Sequence, residues 1–253
     1  MNRRSERKTP STRSKWLADD GVLRIVDITE DHEDAFRSLR RRSGRFLSRW
    51  EPRRSPGDVP GSLVEFQRFL EESHSKRTHR MLCERIRDGR VVGQVGFSMT
   101  DAFSFPNAEI AYWIGRPFIR KGYGTRMVDI ALAHAFATIG IERVEANIQP
   151  GNEASRCLLR RIGFRMRGYS PEYLEIDGER RDHERWALLE EEWCPGMDRS
   201  SSPRTKMVSR RSSGANPPDP PSPPGFDPRS SPDTGRHPSP RRAIRRSEHP
   251  EDR

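Results

Sequence analysis

Long apolar runs are missing from this chain. No window approaches the roughly 18 consecutive apolar residues that a membrane span needs, and only 32% of residues are hydrophobic against 33% charged. Cysteine is scarce as well: Cys83, Cys157 and Cys194 are odd in number and far apart. With no C-x-x-C pair and no Cys/His cluster, neither a disulfide frame nor a zinc site is expected, and no metal is assigned. The opening residues, MNRRSERKTPSTRSKW, carry positive charge with no apolar stretch behind it, which is not the pattern of a secretory leader. The cytoplasm is the expected compartment, and no membrane partner is expected. A mean hydropathy of −0.94 is polar for a chain of this length, so part of it is expected to stay unfolded.

What the chain has in excess is positive charge, formally +10. Residues 1–16 and 198–253 each carry five more basic than acidic side chains, while 17–197 balance. The expected organisation is a disordered basic arm at 1–20, one folded domain at 21–193 and a disordered Pro/Ser/Arg-rich tail at 197–253. In the tail, PPDPPSPPG and repeated Ser/Pro/Arg clusters leave no periodic apolar face to offset the entropy of ordering.

Strand and helix signals alternate through the middle. Val22–Ile28 reads as a strand. Glu30-Asp31-His32-Glu33 then loads acid into the first turn of a helix reaching about Arg42, with Ala35, Phe36 and Leu39 as its stripe. Arg45–Asp58 reads as a loop, and Ser62 caps a second helix carrying Leu63, Phe66, Phe69 and Leu70. Strands at 80–86 and 91–99 flank Asp88-Gly89, and strands at 164–176 and 183–189 flank Asp177-Gly178, both hairpin turns. Between these pairs come a strand at 108–114, a long helix ending at Gly140, a strand at 143–148, and a short helix from Asn152 to about Arg161.

Between strand 108–114 and the long helix lies Arg120-Lys121-Gly122-Tyr123-Gly124-Thr125. The first N–H groups of a helix lack internal acceptors and face outward with the positive end of the dipole, so they bind anions through backbone. Glycines at 122 and 124 permit positive φ and close approach of the loop, and Arg120 and Lys121 add mobile charge. Taken alone, G-x-G is equally a basic turn with glycines for steric reasons.

Its neighbours narrow the choice. The order RKGYGT, long helix, strand Arg143–Ile148, Pro150-Gly151-Asn152-Glu153-Ala154-Ser155, Gly163-Phe164 resembles the GNAT N-acetyltransferases, and within them the RimJ/RimL branch. Phe46-Leu47-x-x-Trp50-Glu51-Pro52 and Tyr173-Leu174-x-Ile176-Asp177-Gly178 with Asp182-His183 extend the likeness over residues 21–193. The family's loop, Gln/Arg-x-x-Gly-x-Gly/Ala, falls on Ile119–Gly124, with Ile119 in place of the usual polar first residue. The resemblance implies acetyl-CoA as co-substrate, its pyrophosphate held by Arg120, Lys121, Gly122, Tyr123, Gly124 and Thr125 and its pantetheine touched by Asn152. It implies that strand 108–114 parts from its parallel neighbour at 143–148, so that N–H groups near Trp113 and Ile114 meet the thioester carbonyl. The expected fold is α/β in the α+β sense, a mixed, mostly antiparallel sheet of about 6–7 strands flanked by about four helices.

Acetyl transfer to an amine also needs a base and an acid. Glu109 is the candidate base. Glutamate is depleted in strands, and one sharing a face with Ala111 and Trp113 would be desolvated, which raises its pKa toward neutrality; on an open face it would simply be solvated. Ser155 is the candidate acid for the leaving thiolate, because Asn152-x-x-Ser155 resembles the RimL-type pattern, although a helix cap and a residue one turn on account for the pair without chemistry. Tyr173 is the alternative acid, or a packing residue of its hairpin. Trp50 and Glu51 are candidates for the wall that receives a peptide N-terminus, and Phe46 reads as a core plug. Arg167-Gly168 stands where many relatives carry an acidic residue, a change toward acidic acceptors. His134 and His183 read as packing or surface residues.

Two classes of function stay open. The first is an acetyl-CoA-dependent N-acetyltransferase working by direct attack on the thioester. The RimJ/RimL likeness favours a protein N-terminal α-amine of ribosomal-protein type, with small-molecule amines such as aminoglycosides or polyamines as the alternative, drawn by Glu172, Glu175, Asp177 and Glu179. The second is a ribosome- or RNA-binding protein whose arms make non-specific phosphate contacts and whose GNAT domain serves for docking. The neutral domain argues against base readout.

Overall fold

The computed structural model describes residues 15–52, 59–73, 75–100 and 105–196. All belong to one compact unit, Met1–Thr205. Most of the basic arm and the whole Pro/Ser/Arg-rich tail, including the separate unit Lys206–Arg253, lie outside the described residues.

Alternating apolar residues build eight strands: β1 (Trp16–Asp19), β2 (Leu23–Asp27), β3 (Thr78–Arg85), β4 (Arg90–Thr100), β5 (Asn107–Ile114), β6 (Arg143–Ile148), β7 (Arg165–Ile176) and β8 (Glu179–Leu189). They form one sheet in the order β1-β2-β3-β4-β5-β6-β8-β7. Every pairing is antiparallel except β5–β6. Four helices accompany it, α1 (Glu33–Leu47), α2 (Leu63–Ser73), α3 (Tyr123–His134) and α4 (Glu153–Ile162). The expected fold class is observed, with one strand more. β1 lies inside the stretch assigned to the basic arm; it is a four-residue edge strand, too short to show a period against the charged run before it.

Two further boundaries move. α1 runs on to Leu47, through the beginning of the expected loop. Gly44 does not stop it, because that glycine sits in the helix where a Cβ would come 2.8 Å from Pro60 Cβ; it makes room for the returning chain. The buried stripe is Phe36, Leu39, Ser43, Gly44 and Leu47, and Ala35 is exposed. α3 passes into a π-turn at Ala135–Ile139 before the Gly140 cap at φ 80°.

α1 and α2 cover one face of the sheet. Phe36 is the hub there, its ring centroid 5.6 Å from Phe66, 5.1 Å from Phe69 and 6.1 Å from Trp113 of β5. α3 lies across β1, β2, β4 and β5 on the opposite face and packs on α4. Each large apolar side chain so buried contributes about 1.5–3 kcal/mol.

The feature that matters for function is a defect in this sheet. β5 and β6 pair only at Asn107–Arg143, Ala108–Val144 and Glu109–Glu145. Beyond Glu109, β5 continues to Ile114 along β4 alone, and beyond Glu145, β6 continues to Ile148 along β8 alone. The central parallel pair opens into a V.

Candidate active site

One limb of the V leads into the glycine loop. Arg116–Phe118 make a single 3-10 turn, anchored where Arg116 N–H donates to Ser43 Oγ at 3.0 Å. Arg120 then takes φ 58°, a left-handed backbone that costs a non-glycine residue about 1 kcal/mol or more and that gathers at functional sites. Gly122 at φ 74°, ψ 0° occupies the N-cap of α3 and has no side chain to cap it. Arg126 N–H is the first to turn inward, to Gly122 O at 3.3 Å. Among the described residues the N–H groups of Tyr123, Gly124 and Thr125 therefore have no acceptor, which is the helix-start arrangement that binds anions.

The two glycines serve different ends. Gly122 supplies the positive φ. Gly124 already lies in α3, and a Cβ on it would stand 3.0 Å from Leu158 of α4 and 3.7 Å from Ile114, so its role is close packing rather than the conformational freedom expected of it. Arg85, missed in the sequence, braces the loop. Its guanidinium pairs with Asp88 at 2.5 Å, donates to Tyr123 Oη at 3.4 Å and lies 5.4 Å over the Phe118 ring. The hydrogen bond from Arg85 holds the Asp88 carboxyl down at about 2. Beside the loop a cavity of about 880 Å³ is lined by Arg41, Arg42, Arg85, Arg87, Arg90 and Lys121, with Asp34 as its one acid. The balanced net charge of the middle segment thus conceals a local cationic face.

On the α1 side of the V stands Glu109, half-buried, beside the exposed Ala111. It lies opposite Ser98 of β4 and Glu145 of β6. Arg143 at 2.8 Å and Arg185 at 3.7 Å hold Glu145, whereas the Glu109 carboxylate has no hydrogen bond or ion pair among the described residues. The face is more open than the expected apolar surround of the base.

The α4 side carries Asn152 and Ser155. Asn152 Oδ1 accepts Ser155 N–H at 3.2 Å, the expected cap, and its Nδ2 and the Ser155 Oγ have no partner among the described residues. Arg156 fixes this turn, bonding Glu184 at 3.0 Å and Pro150 O at 3.3 Å. Beneath it, the Tyr112 hydroxyl is shut away from solvent and has no hydrogen-bond partner among the described residues. Burial pushes that phenol up to about 12, and Ser155 is the hydroxyl that faces it, outside bonding geometry. An unsatisfied buried hydroxyl costs about 1–3 kcal/mol.

A parted parallel strand pair, a helix start open to anions and a lone carboxylate at the vertex of the gap are now in place. The family described as Acetyltransferase (GNAT) domain matches residues 22–165. The chain belongs to the GNAT acetyltransferase family. It is an acetyl-CoA-dependent N-acetyltransferase, similar to the RimJ/RimL branch. The ribosomal protein uS5-alanine N-acetyltransferase of Escherichia coli (strain K12) is 37% identical over 153 residues, 60% of this chain and 79% of the relative. Mycobacterium smegmatis RimJ in complex with CoA-disulfide superposes with a TM-score of 0.63 at 27% identity, over 70% of this chain and 86% of that one. A ribosomal-protein-S5-alanine acetyltransferase from Vibrio fischeri shares the fold, with a TM-score of 0.60 at 22% identity over 68% and 96%.

In this acetyltransferase the segment after α1 folds over the cleft. Gln149 Nε2 donates to Arg49 O at 3.1 Å, and the Trp50 ring lies 3.9 Å from where a Cβ on Gly151 would be, so Trp50 reaches the turn that carries Asn152 and Ser155. Glu51 is engaged elsewhere: both its oxygens meet the Arg40 guanidinium, at 3.1 and 2.9 Å. Arg40 also pairs with Glu65 at 2.7 Å and lies 5.0 Å over the Trp113 ring. Sequence reasoning passed over Arg40, since a buried arginine leaves no mark in a basic helix. Arg40→Ala would leave the part-buried Glu65 with only the Gly61 N–H as partner among the described residues and release the 48–52 segment. It should cost about 3 kcal/mol in urea unfolding, the largest stability loss of any single charge removed from the site.

Tyr173 lies on the β7–β8 hairpin, exposed, with its ring 5.7 Å from His183. A bulge between Ser170 and Leu174 interrupts the long expected strand. There Asp182 accepts from Tyr169 Oη and from Glu172 N–H. His183 is buried and hydrogen-bonds Arg181 O through Nδ1 at 2.9 Å. No helix among the described residues is long and apolar enough to cross a membrane.

Proposed function

We propose that the chain acetylates the α-amino group of a protein N-terminus, with ribosomal proteins as the acceptor class. The observation that carries this is the V between β5 and β6, which has unpaired helix N–H groups at one end and, among the described residues, an unpaired carboxylate at its closed end. The residues present fit acetyl-CoA. The N–H groups of Tyr123, Gly124 and Thr125, with Arg120 and Lys121, suit a diphosphate, and the free Nδ2 of Asn152 suits an amide carbonyl. When bound, acetyl-CoA supplies an activated carbonyl and a thiolate leaving group.

Those backbone N–H groups near Trp113 and Ile114 that face the edge of β5 which β6 has left suit negative charge on the carbonyl oxygen. Glu109 takes the proton of the attacking amine, directly or through water, and Ser155 returns one to the sulfur, with Tyr173 the alternative donor. Trp50 walls the acceptor side, and Glu51 acts there by fixing the 48–52 segment through Arg40. An α-amine near pKa ~7.7–8.0 makes a smaller demand on one carboxylate than a lysine near ~10.4, and the Escherichia coli relative is named a ribosomal protein uS5-alanine N-acetyltransferase.

The test is to incubate the protein with labelled acetyl-CoA and stripped ribosomal proteins and to map the label by mass spectrometry. Label on the N-terminal α-amine of one or a few proteins is expected, whereas label confined to lysines or to added spermidine would refute the acceptor class. The alternative of an RNA-docking protein rests on the basic arms, almost all of which lie outside the described residues. We place the catalytic unit within residues 21–193, so a chain trimmed to 15–196 should keep its turnover.

A further inference from the structure

Among the described residues the Tyr112 hydroxyl has no hydrogen-bond partner. It lies on β5 in the stretch that has left β6, and its side chain points to the α3–α4 face, two residues before Ile114 on the same side of the strand. Ile114, Gly124 and Leu158 come together on that face, and Ser155 is one turn before Leu158 on the same side of α4. Tyr112 therefore lies beneath Ser155 as Ile114 lies beneath Leu158, and Ser155 is the hydroxyl that acts on it. A phenylalanine would fill the same space without burying an unpaired oxygen.

We propose that Tyr112 is a positioning residue of the active site: its hydroxyl donates a hydrogen bond to Ser155 Oγ and so turns the hydrogen of Ser155 toward the sulfur of the leaving thiolate. The inference rests on the reading of Ser155 as the acid. Tyr112 keeps its own proton throughout, since burial holds it neutral at any working pH. The proton gained by sulfur comes from Ser155, which takes one back from solvent water, and the one lost by the amine goes to Glu109, which releases it to solvent, so the cycle closes. The hydroxyl of Tyr112 is thus left unmatched in the fold for the sake of a geometry needed only during turnover, which sets stability against activity.

The test combines Tyr112→Phe with Ser155→Ala and the double variant, using stripped ribosomal proteins and acetyl-CoA, with CoA release followed in single turnovers. Tyr112→Phe should lose roughly tenfold in rate with KM for acetyl-CoA unchanged, and its Tm should stay level or rise by about 2–4 °C. Adding Tyr112→Phe to Ser155→Ala should cause no further loss. A Tyr112→Phe variant at full rate, or one whose loss persists in the Ser155→Ala background, overturns the inference. A Ser155→Ala variant at full rate instead removes the reading of Ser155 on which it stands. A crystal structure with coenzyme A should place Tyr112 Oη within about 3.0 Å of Ser155 Oγ, and a phenol bonded elsewhere contradicts the inference whichever acceptor is used.

Discussion

Gly122→Asp should weaken acetyl-CoA binding about 100-fold or more in a calorimetric titration, while the Tm moves by only a few degrees. The position explains the separation of effects. Gly122 sits at φ 74°, and a Cβ added there would meet open space, with nothing lying within 4 Å. Aspartate is among the residues that tolerate the left-handed region best, at a cost of about 1–2 kcal/mol, and an acid at a helix start recovers part of that through the dipole. The fold should bear the change. Binding should not, because the carboxylate would stand beside the free N–H groups of Tyr123, Gly124 and Thr125 and repel a diphosphate there, and such like-charge contacts cost several kcal/mol. Gly122→Ala, which adds strain without charge, should bind within a few-fold of wild type. Normal affinity in the aspartate variant would move the anion site away from this loop.

Glu109→Gln is expected to lower kcat by about 100-fold, in the range of a lost general base, with KM for acetyl-CoA unchanged. The glutamine keeps the size and polarity of a side chain that is half-buried and bonds to nothing among the described residues, so stability should hold. What remains of the rate should climb with pH as the acceptor's α-amine, near ~7.7–8.0, sheds its proton unaided. The Arg143–Glu145–Arg185 group next to it makes a useful control. Glu145→Gln touches an already neutralised carboxylate and should leave kcat within about threefold of wild type. A Glu109→Gln enzyme with full kcat would place the base elsewhere.

Much of this was legible in the chain itself, because local signals and tertiary roles coincide there. Asn152 and Gly163 bracket α4 as cap and terminator, Ser62 Oγ accepts Glu65 N–H at 3.1 Å at the start of α2, and Asp88-Gly89 and Asp177-Gly178 turn the hairpins. What misled was residues whose reason lies far along the chain. The expected helix stops short of Gly44, which is a clearance for Pro60, and Gly124, expected to free the loop backbone, is a close contact with Leu158. β1 was hidden because an edge strand of four residues buries too little to show a pattern. Arg40 and Arg85 were invisible for a related reason. Apart from the local pair Arg85–Asp88, their worth depends on Glu51, Glu65, Trp113 and Tyr123 meeting them in space, and no spacing rule brings those residues together.

The most direct test of the account is hydrogen exchange with and without acetyl-CoA. The amides of Tyr123, Gly124 and Thr125, and those of Ile110–Ile114 that face the open side of the V, lack protein partners that would protect them. They should slow when the ligand binds, together with the Asn152–Ser155 turn. Slowing confined to other parts of the sheet, with these three segments unchanged, would contradict it.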